Sequence, residues 1–488
     1  MSAYLAFDLG AESGRAILGT LETGYLKLEE LHRFANVPVR VLGALYWDTL
    51  RLWNEILQGL AVAGRERRLE LGGIGVDTWG VDFALIGSDG ALVDNPRHYR
   101  DARNGGVPEK TFAVIPREEI FEQTGIQFMQ INTLYQLYAM RLAGSPALAS
   151  ARTLLMMPDL FNYWLTGVAK SELTIASTSQ FYNPQRGAWA TELFDRLELP
   201  KTILPEIVRP GFRLGTLLPA IAEPAGMTSV PVYATGCHDT ASAVAAAPGA
   251  GEDWCYISSG TWSLMGVELD APVINERSLE LNLTNEMGAC GKTRLLKNIA
   301  GLWPLQECRR AWAAAGEQYS YEELAALAAS AASFSVVLDP DSFLEPGNMP
   351  GKIAAFCQAT GQKPPETPAA ITRAILESLA LRYREVFESL ESLLGRKLAR
   401  IHIVGGGSRN RLLNQFAADA TGREVVAGPV EATAMGNVLI QAIGAGEVSD
   451  LGGAREIVRR STLLETFTPQ AASGWDRAYE KFRQVVKR

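Results

Sequence analysis

Apolar and polar positions at the start of the chain alternate as strands do before they change to a helical period. Tyr4 to Asp8 reads as a strand, Arg15 to Leu21 as a second, and Thr23-Gly24 turns into a third at Tyr25 to Leu31. Asp48 then stands where a helix N-cap belongs, with Leu52, Ile56 and Leu60 following at i+4 spacing. Ile74-Gly75-Val76 and Phe83 to Ile86 predict further strands, and Ser88-Asp89-Gly90 a turn.

Pro248-Gly249-Ala250-Gly251 interrupts this pattern near the middle of the chain. A new strand-turn-strand follows: Cys255 to Ile257, then Ser258-Ser259-Gly260-Thr261, then Trp262 to Val267. It echoes the opening, where a strand ends in Asp8-Leu9-Gly10, turns through Ala11 to Gly14 and returns. Two copies half a chain apart suggest a duplicated domain. Farther on, Thr367 and Pro368 start a long helix whose apolar face is Ile371, Ile375, Leu379, Tyr383, Val386, Leu390 and Leu393, and Gly395 ends it. Arg400 to Val404 then predicts a buried strand running into Gly405-Gly406-Gly407-Ser408-Arg409-Asn410. Strands alternating with helices, each half opened by a meander, predict two α/β domains, 1–247 and 252–488, flanking a cleft.

The 488-residue length agrees with two domains, and 47% hydrophobic with 20% charged residues is a globular balance. A net charge of −8 argues against a general nucleic-acid or anionic-membrane binder, which needs a basic surface. No basic leader precedes Tyr4-Leu5-Ala6-Phe7 and no apolar run is long enough to span a bilayer, so a cytoplasmic protein is expected. The five cysteines are scattered without CxxC spacing and are expected to be free thiols.

Three glycine- and hydroxyl-rich turns follow strands: Asp8 to Arg15, Ser258 to Thr261, and Gly405 to Asn410. Small residues there let backbone amides approach phosphate oxygens, although each turn alone is also an ordinary tight turn. None is a GxxxxGK[ST] loop, and the first does not fit GxGxxG. Asp8, at a strand end, is placed for a water-mediated Mg²⁺ contact or for accepting turn amides. Asp239, in Gly236-Cys237-His238-Asp239-Thr240, precedes the small-residue run Ala241 to Ala247, and local sequence favours an N-cap role for it. His238 reads locally as a packed core histidine. Cys237 lacks the partners of a nucleophile.

In order and over nearly the whole chain, these segments resemble the FGGY carbohydrate kinases. Asp8-Leu9-Gly10-Ala11-Glu12-Ser13-Gly14-Arg15 is similar to the family's first phosphate loop, and Gly75-Val76-Asp77-Thr78-Trp79-Gly80-Val81-Asp82-Phe83 to its sugar-side motif. His238-Asp239-Thr240-Ala241-Ser242-Ala243 resembles the segment with the catalytic base. Ser258 to Gly266 looks like the second phosphate loop, and Leu296-Lys297-Asn298-Ile299 with Gly301-Leu302-Trp303 follows the same family. Glu12, where the family has a small polar residue, and Ser408-Arg409 depart from the pattern; an acidic side chain beside a phosphate loop is expected to point away from it.

The resemblance implies an α/β, two-domain actin/hexokinase-type (ribonuclease H-like) fold closing over nucleotide and sugar. It implies ATP- and Mg²⁺-dependent phosphorylation of L-rhamnulose at its C1 hydroxyl, a step of L-rhamnose degradation. No exposed repeat in the sequence demands a partner, so no obligate protein partner is expected. Position by position, the resemblance places ATP at Ala11, Glu12, Ser13, Gly14, Arg15, Thr261, Gln306 and Gly406. The sugar falls to Gly80, His238, Asp239, Thr240 and Asn298, with Asp239 as the base. Two other readings stay open at this level: a kinase for another ketose or polyol such as xylulose or fuculose, and a non-catalytic nucleotide-binding switch of the actin-like fold.

Overall fold

A computed structural model describes residues 1–470 and 474–486; the end of the expected second domain, 487–488, lies outside the described residues. The chain forms two compact units of mixed α/β structure. The first comprises 1–246 together with 268–295 and 432–461, the second 247–267, 296–431 and 462–488.

The first unit is built on a six-stranded sheet. Its strands are β1 (Ser2–Leu9), β2 (Ser13–Glu22), β3 (Tyr25–Ala35), β4 (Gly73–Thr78), β5 (Phe212–Thr216) and β6 (Pro231–Ala234), in spatial order β5-β6-β4-β1-β2-β3. β6, β4 and β1 run parallel, β5 is antiparallel to β6, and β2 is antiparallel to both β1 and β3. The predicted opening meander is thus β1 to β3, extended by a few residues at each end. Helix α1 (Thr49–Ala61) follows; the Asp48 carboxylate accepts from the Arg51 amide, and Leu52, Ile56 and Leu60 are fully buried with Phe7 and Val76 in the core. Helix α2 (Met157–Thr166), helix α3 (Asp239–Ala245) and helix α4 (Ala432–Gly444) complete the part that bears on the site.

The second unit repeats the arrangement. β7 (Trp254–Ser259) turns into the antiparallel β8 (Ser263–Leu269), whose last residues pass into the first unit. β7 also pairs in parallel with β9 (Arg400–Val404), as β1 does with β4. β9 pairs in parallel with β10 (Glu424–Ala427), which is edged by the antiparallel β11 (Glu465–Phe467). The long helix runs from Pro368 to Leu394: Thr367 Oγ accepts from the Ala370 amide at 3.2 Å, and Gly395 leaves the helix at φ +64°. Its predicted face is buried from Ile371 to Leu390, while Leu393 is half-buried.

Candidate active site

Parallel strands bring successive side chains at their C-terminal ends side by side, which is where open α/β sheets gather ligand groups. In the first unit Asp8 on β1 and Asp77 on β4 are register partners, and Thr78 bridges to His238, which directly precedes α3. The Thr78 amide donates to the Cys237 carbonyl at 2.9 Å. Asp8, Asp77 and the His238-Asp239 pair therefore follow from strand register alone.

Across the β1–β2 hairpin, Arg15 donates to Asp8 Oδ2 at 2.5 Å. The turn between them is closed by the Gly10 amide on the Ser13 carbonyl at 2.9 Å. Asn36 latches it from outside: its amide donates to the Glu12 carbonyl and its side chain to the Gly10 carbonyl, both at 2.9 Å. Glu12 is exposed whereas Ala11 and Ser13 are half-buried and Gly14 is buried.

Asp77 is fully buried. Its Oδ2 accepts from Asn437 Nδ2 on α4 at 2.5 Å, and its Oδ1 has no hydrogen-bond partner. Burial, then the charge of Asp8, holds its carboxyl well above the ordinary carboxylate range against the Asn437 bond. Asp82, on the same motif, accepts from both indoles of Trp47 and Trp79, from the Tyr99 amide and from Gln136. Burial still pushes it up to about 6.

His238, not Asp239, occupies the cap position of α3, with φ −76° and ψ 117°, and its side chain makes no capping bond. Asp239 is the first helical residue, so the simple N-cap reading from local sequence does not hold. Asp239 Oδ1 accepts from Thr240 Oγ at 3.1 Å and lies 3.6 Å from His238 Nε2. Its side chain is 28% exposed, against 9% for Asp8, which makes it the more reachable of the two carboxylates. Burial raises its pKa, with the Asp8 charge adding and His238 and Thr240 opposing. Gly80 faces the imidazole: a Cβ there would lie 3.3 Å from His238 Nε2.

The segment beneath is held by Glu172, which accepts the Cys237 amide at 3.1 Å as well as the Thr174 and Ile175 amides. Thr174 Oγ in turn accepts the His238 amide at 3.1 Å. Burial pushes the Cys237 thiol well above its ordinary value, which removes it as a nucleophile.

In the second unit Thr261 lies in the turn between β7 and β8, and its carbonyl accepts the Trp303 amide at 3.1 Å, while Gly260 accepts the Leu302 amide. The β9 turn packs on the same loop: a Cβ on Gly407 would overlap Ser259, whereas Gly406 beside it is exposed with open space around it. Two of the three predicted turns thus abut. Gln306 sits in the helix Trp303–Ala314, and its buried Oε1 has no hydrogen-bond partner. Asn298 is half-buried on the strand Thr293–Ile299.

Sequence reasoning singled out neither Arg294 and Glu286 nor the Glu172 and Asn437 contacts. Arg294 and Glu286 pair at 3.0 Å and both touch His238 Nδ1 at 3.1 Å. The available signal was weak: a charged residue inside an otherwise apolar strand pattern, as in Arg294-Leu295-Leu296.

Each unit carries an antiparallel hairpin with a glycine- and hydroxyl-rich turn, and in the first unit a partly exposed carboxylate, Asp239, stands at a helix start. The chain belongs to the FGGY family of carbohydrate kinases: residues 3–246 match the family's N-terminal domain and 255–445 its C-terminal domain. It is therefore a kinase with ATP as co-substrate. A rhamnulokinase of Bacteroides thetaiotaomicron is 46% identical over 486 residues, covering 99% of both chains. One of Enterococcus faecalis is 41% identical, over 95% of this chain and 94% of the relative. Among solved structures, a ligand-bound xylulose kinase of Lactobacillus acidophilus superposes with a TM-score of 0.81 at 15% identity, over 100% of this chain and 96% of that one. A Plasmodium falciparum glycerol kinase with ADP gives 0.77 at 16% identity, over 100% and 97%. At such identities these structures speak for the fold. Among the described residues no helix is long and apolar enough to cross a membrane, and all five cysteines are free.

Proposed function

We propose that the chain transfers the γ-phosphoryl group of ATP to the C1 hydroxyl of L-rhamnulose, with Asp239 as the general base. Relatives that bear the rhamnulokinase name and match 95–99% of this chain support the sugar. The single observation that carries the base is the half-exposed carboxylate of Asp239, set beside the buried Asp8 and Asp77 and raised in pKa by burial. A more basic carboxylate takes a hydroxyl proton more readily.

In the reaction the sugar oxygen forms a bond to the γ-phosphorus as the bond from that phosphorus to the β-phosphate oxygen breaks, and ADP leaves. The hydroxyl proton passes to Asp239 Oδ2, because Oδ1 is engaged by Thr240. Gly80, His238, Thr240 and Asn298 hold the sugar. Ala11 to Arg15, Thr261 and Gly406 hold ATP through the backbone and small side chains, and Gln306 supplies an unmet carbonyl oxygen to it. Phosphoryl transfer draws mostly on such positioning.

Mg²⁺ fits the residues present. Asp77 has a buried carboxylate oxygen with no partner beside Asp8, and hard carboxylate oxygens suit this cation. Among the described residues no group of three or more His, Cys, Asp or Glu is assembled for a metal. Asp8 would hold it, through water. When bound, the ion neutralises phosphate charge.

The test is an ADP-release assay over L-rhamnulose, L-fuculose and D-xylulose. Turnover of L-rhamnulose well above the others is expected. Preference for another ketose would replace the substrate, and absence of sugar-dependent ADP release would overturn the reading.

A further inference from the structure

Behind His238 lies a buried ion pair that the reaction above leaves without a task. Arg294 is 0% exposed and Glu286 4%. Arg294 Nη2 donates to Glu286 Oε2 at 3.0 Å, and Arg294 Nε donates to the Met287 carbonyl at 3.2 Å. The same Nη2 stands 3.1 Å from His238 Nδ1. Burying two charges is costly, and such a pair is retained where its placement matters more than its net stabilisation.

We infer that Arg294, anchored by Glu286, fixes His238 in the tautomer with its proton on Nε2, and so makes His238 a hydrogen-bond donor toward the sugar. A guanidinium has five N–H donors and no acceptor. Opposite it, Nδ1 is useful only as a lone pair, and a lone pair on Nδ1 leaves the proton to Nε2. Glu286 Oε2 also stands 3.1 Å from Nδ1 and would favour a proton there. The donor count decides between them. Both hydrogens of Arg294 Nη1 already lack a partner. A protonated Nδ1 would add the second hydrogen of Nη2 to the unmet donors of a side chain with no access to water. Glu286 Oε2 keeps its bond from Arg294 in either case.

Nε2 then points its proton into the space bounded by Gly80 and Asp239. It is 3.6 Å from Asp239 Oδ1, too far for a hydrogen bond, and Gly80 leaves room because it has no Cβ. A sugar oxygen entering there meets a donor from His238 and an acceptor from Asp239. Arg294 is a positioning residue in this account, acting through His238. What the Nε2 proton meets rests on the proposed sugar site, but the tautomer does not.

The experiment is ¹⁵N NMR of protein labelled at histidine, recorded above the ordinary histidine range. With four histidines in the chain, His238 is assigned by the signal lost in His238→Gln. A protonated Nε2 and an unprotonated Nδ1 are expected in the wild type. A proton on Nδ1 overturns the inference, and this result needs no variant of the pair. Glu286→Met combined with Arg294→Met removes both charges together. It is expected to give a mixture of tautomers and to raise KM for L-rhamnulose about tenfold, with KM for ATP unchanged. A folded double variant with the wild-type tautomer and sugar KM would also overturn it. A wild type that carries the Nε2 proton yet does not phosphorylate L-rhamnulose would uphold this inference while removing the proposed substrate.

Discussion

Asn437 donates the one side-chain hydrogen bond that Asp77 receives among the described residues, at 2.5 Å from α4 to the end of β4. Asp77 is fully buried beside Asp8, so that bond is what offsets part of its desolvation. Asn437→Leu leaves the carboxyl with no partner and is expected to cost about 1–3 kcal/mol. Urea unfolding of Asn437→Leu, Asp77→Asn and the double variant measures the coupling. About 1 kcal/mol or more of interaction is expected; strictly additive losses would contradict the pairing.

Glu172 braces the Cys237-His238 backbone, and its titration should be visible in stability. Burial pushes its carboxyl from an ordinary 4.5 to about 7, against the hydrogen bonds it accepts. The folded chain holds this proton more tightly than the unfolded one. Its contribution is therefore complete below about 4.5 and is lost as pH rises through 7. A shift of that size is worth about 3 kcal/mol. Asp82, raised to about 6, adds a similar fall in both proteins, so the difference is what is read. Glu172→Gln should show a flatter curve of Tm against pH across this window, and parallel curves would refute the assignment.

Gly406 and Gly407 separate nucleotide contact from packing. Alanine at 407 would overlap Ser259 and push the β9 turn off the Ser258–Thr261 loop, costing about 1–3 kcal/mol. Alanine at 406 meets open space and should change stability by less than about 0.5 kcal/mol. Both should raise KM for ATP, Gly406→Ala by crowding the nucleotide alone. An unchanged KM for ATP in Gly406→Ala would move the nucleotide away from this turn.

Local signals in the sequence predict the elements well because their causes are local. Alternation marks β1 to β3, and Asp48, Thr367 and Gly395 cap or end their helices where their side chains and φ values allow. The return of 268–295 and 432–461 to the first unit is different. α4 is apolar enough to cover any sheet, and only tertiary packing sets its Asn437 against Asp77. The same holds at the site. Asp8, Asp77 and Asp239 each stand at an element end that the pattern marks, but their adjacency comes from strand register. Arg294 and Glu286 stay hidden because a buried ion pair is defined by its partner, which lies on another strand.

Asp239 as the base is the claim on which the rest depends, and Asp239→Asn tests it most directly. The amide keeps the shape and the Thr240 contact but loses the proton acceptor. Stopped-flow phosphorylation of L-rhamnulose should show kcat lower by about 10²–10⁴-fold, with ATP and sugar binding measured by calorimetry close to wild type. A variant that binds both ligands and turns over at near the wild-type rate would contradict the account.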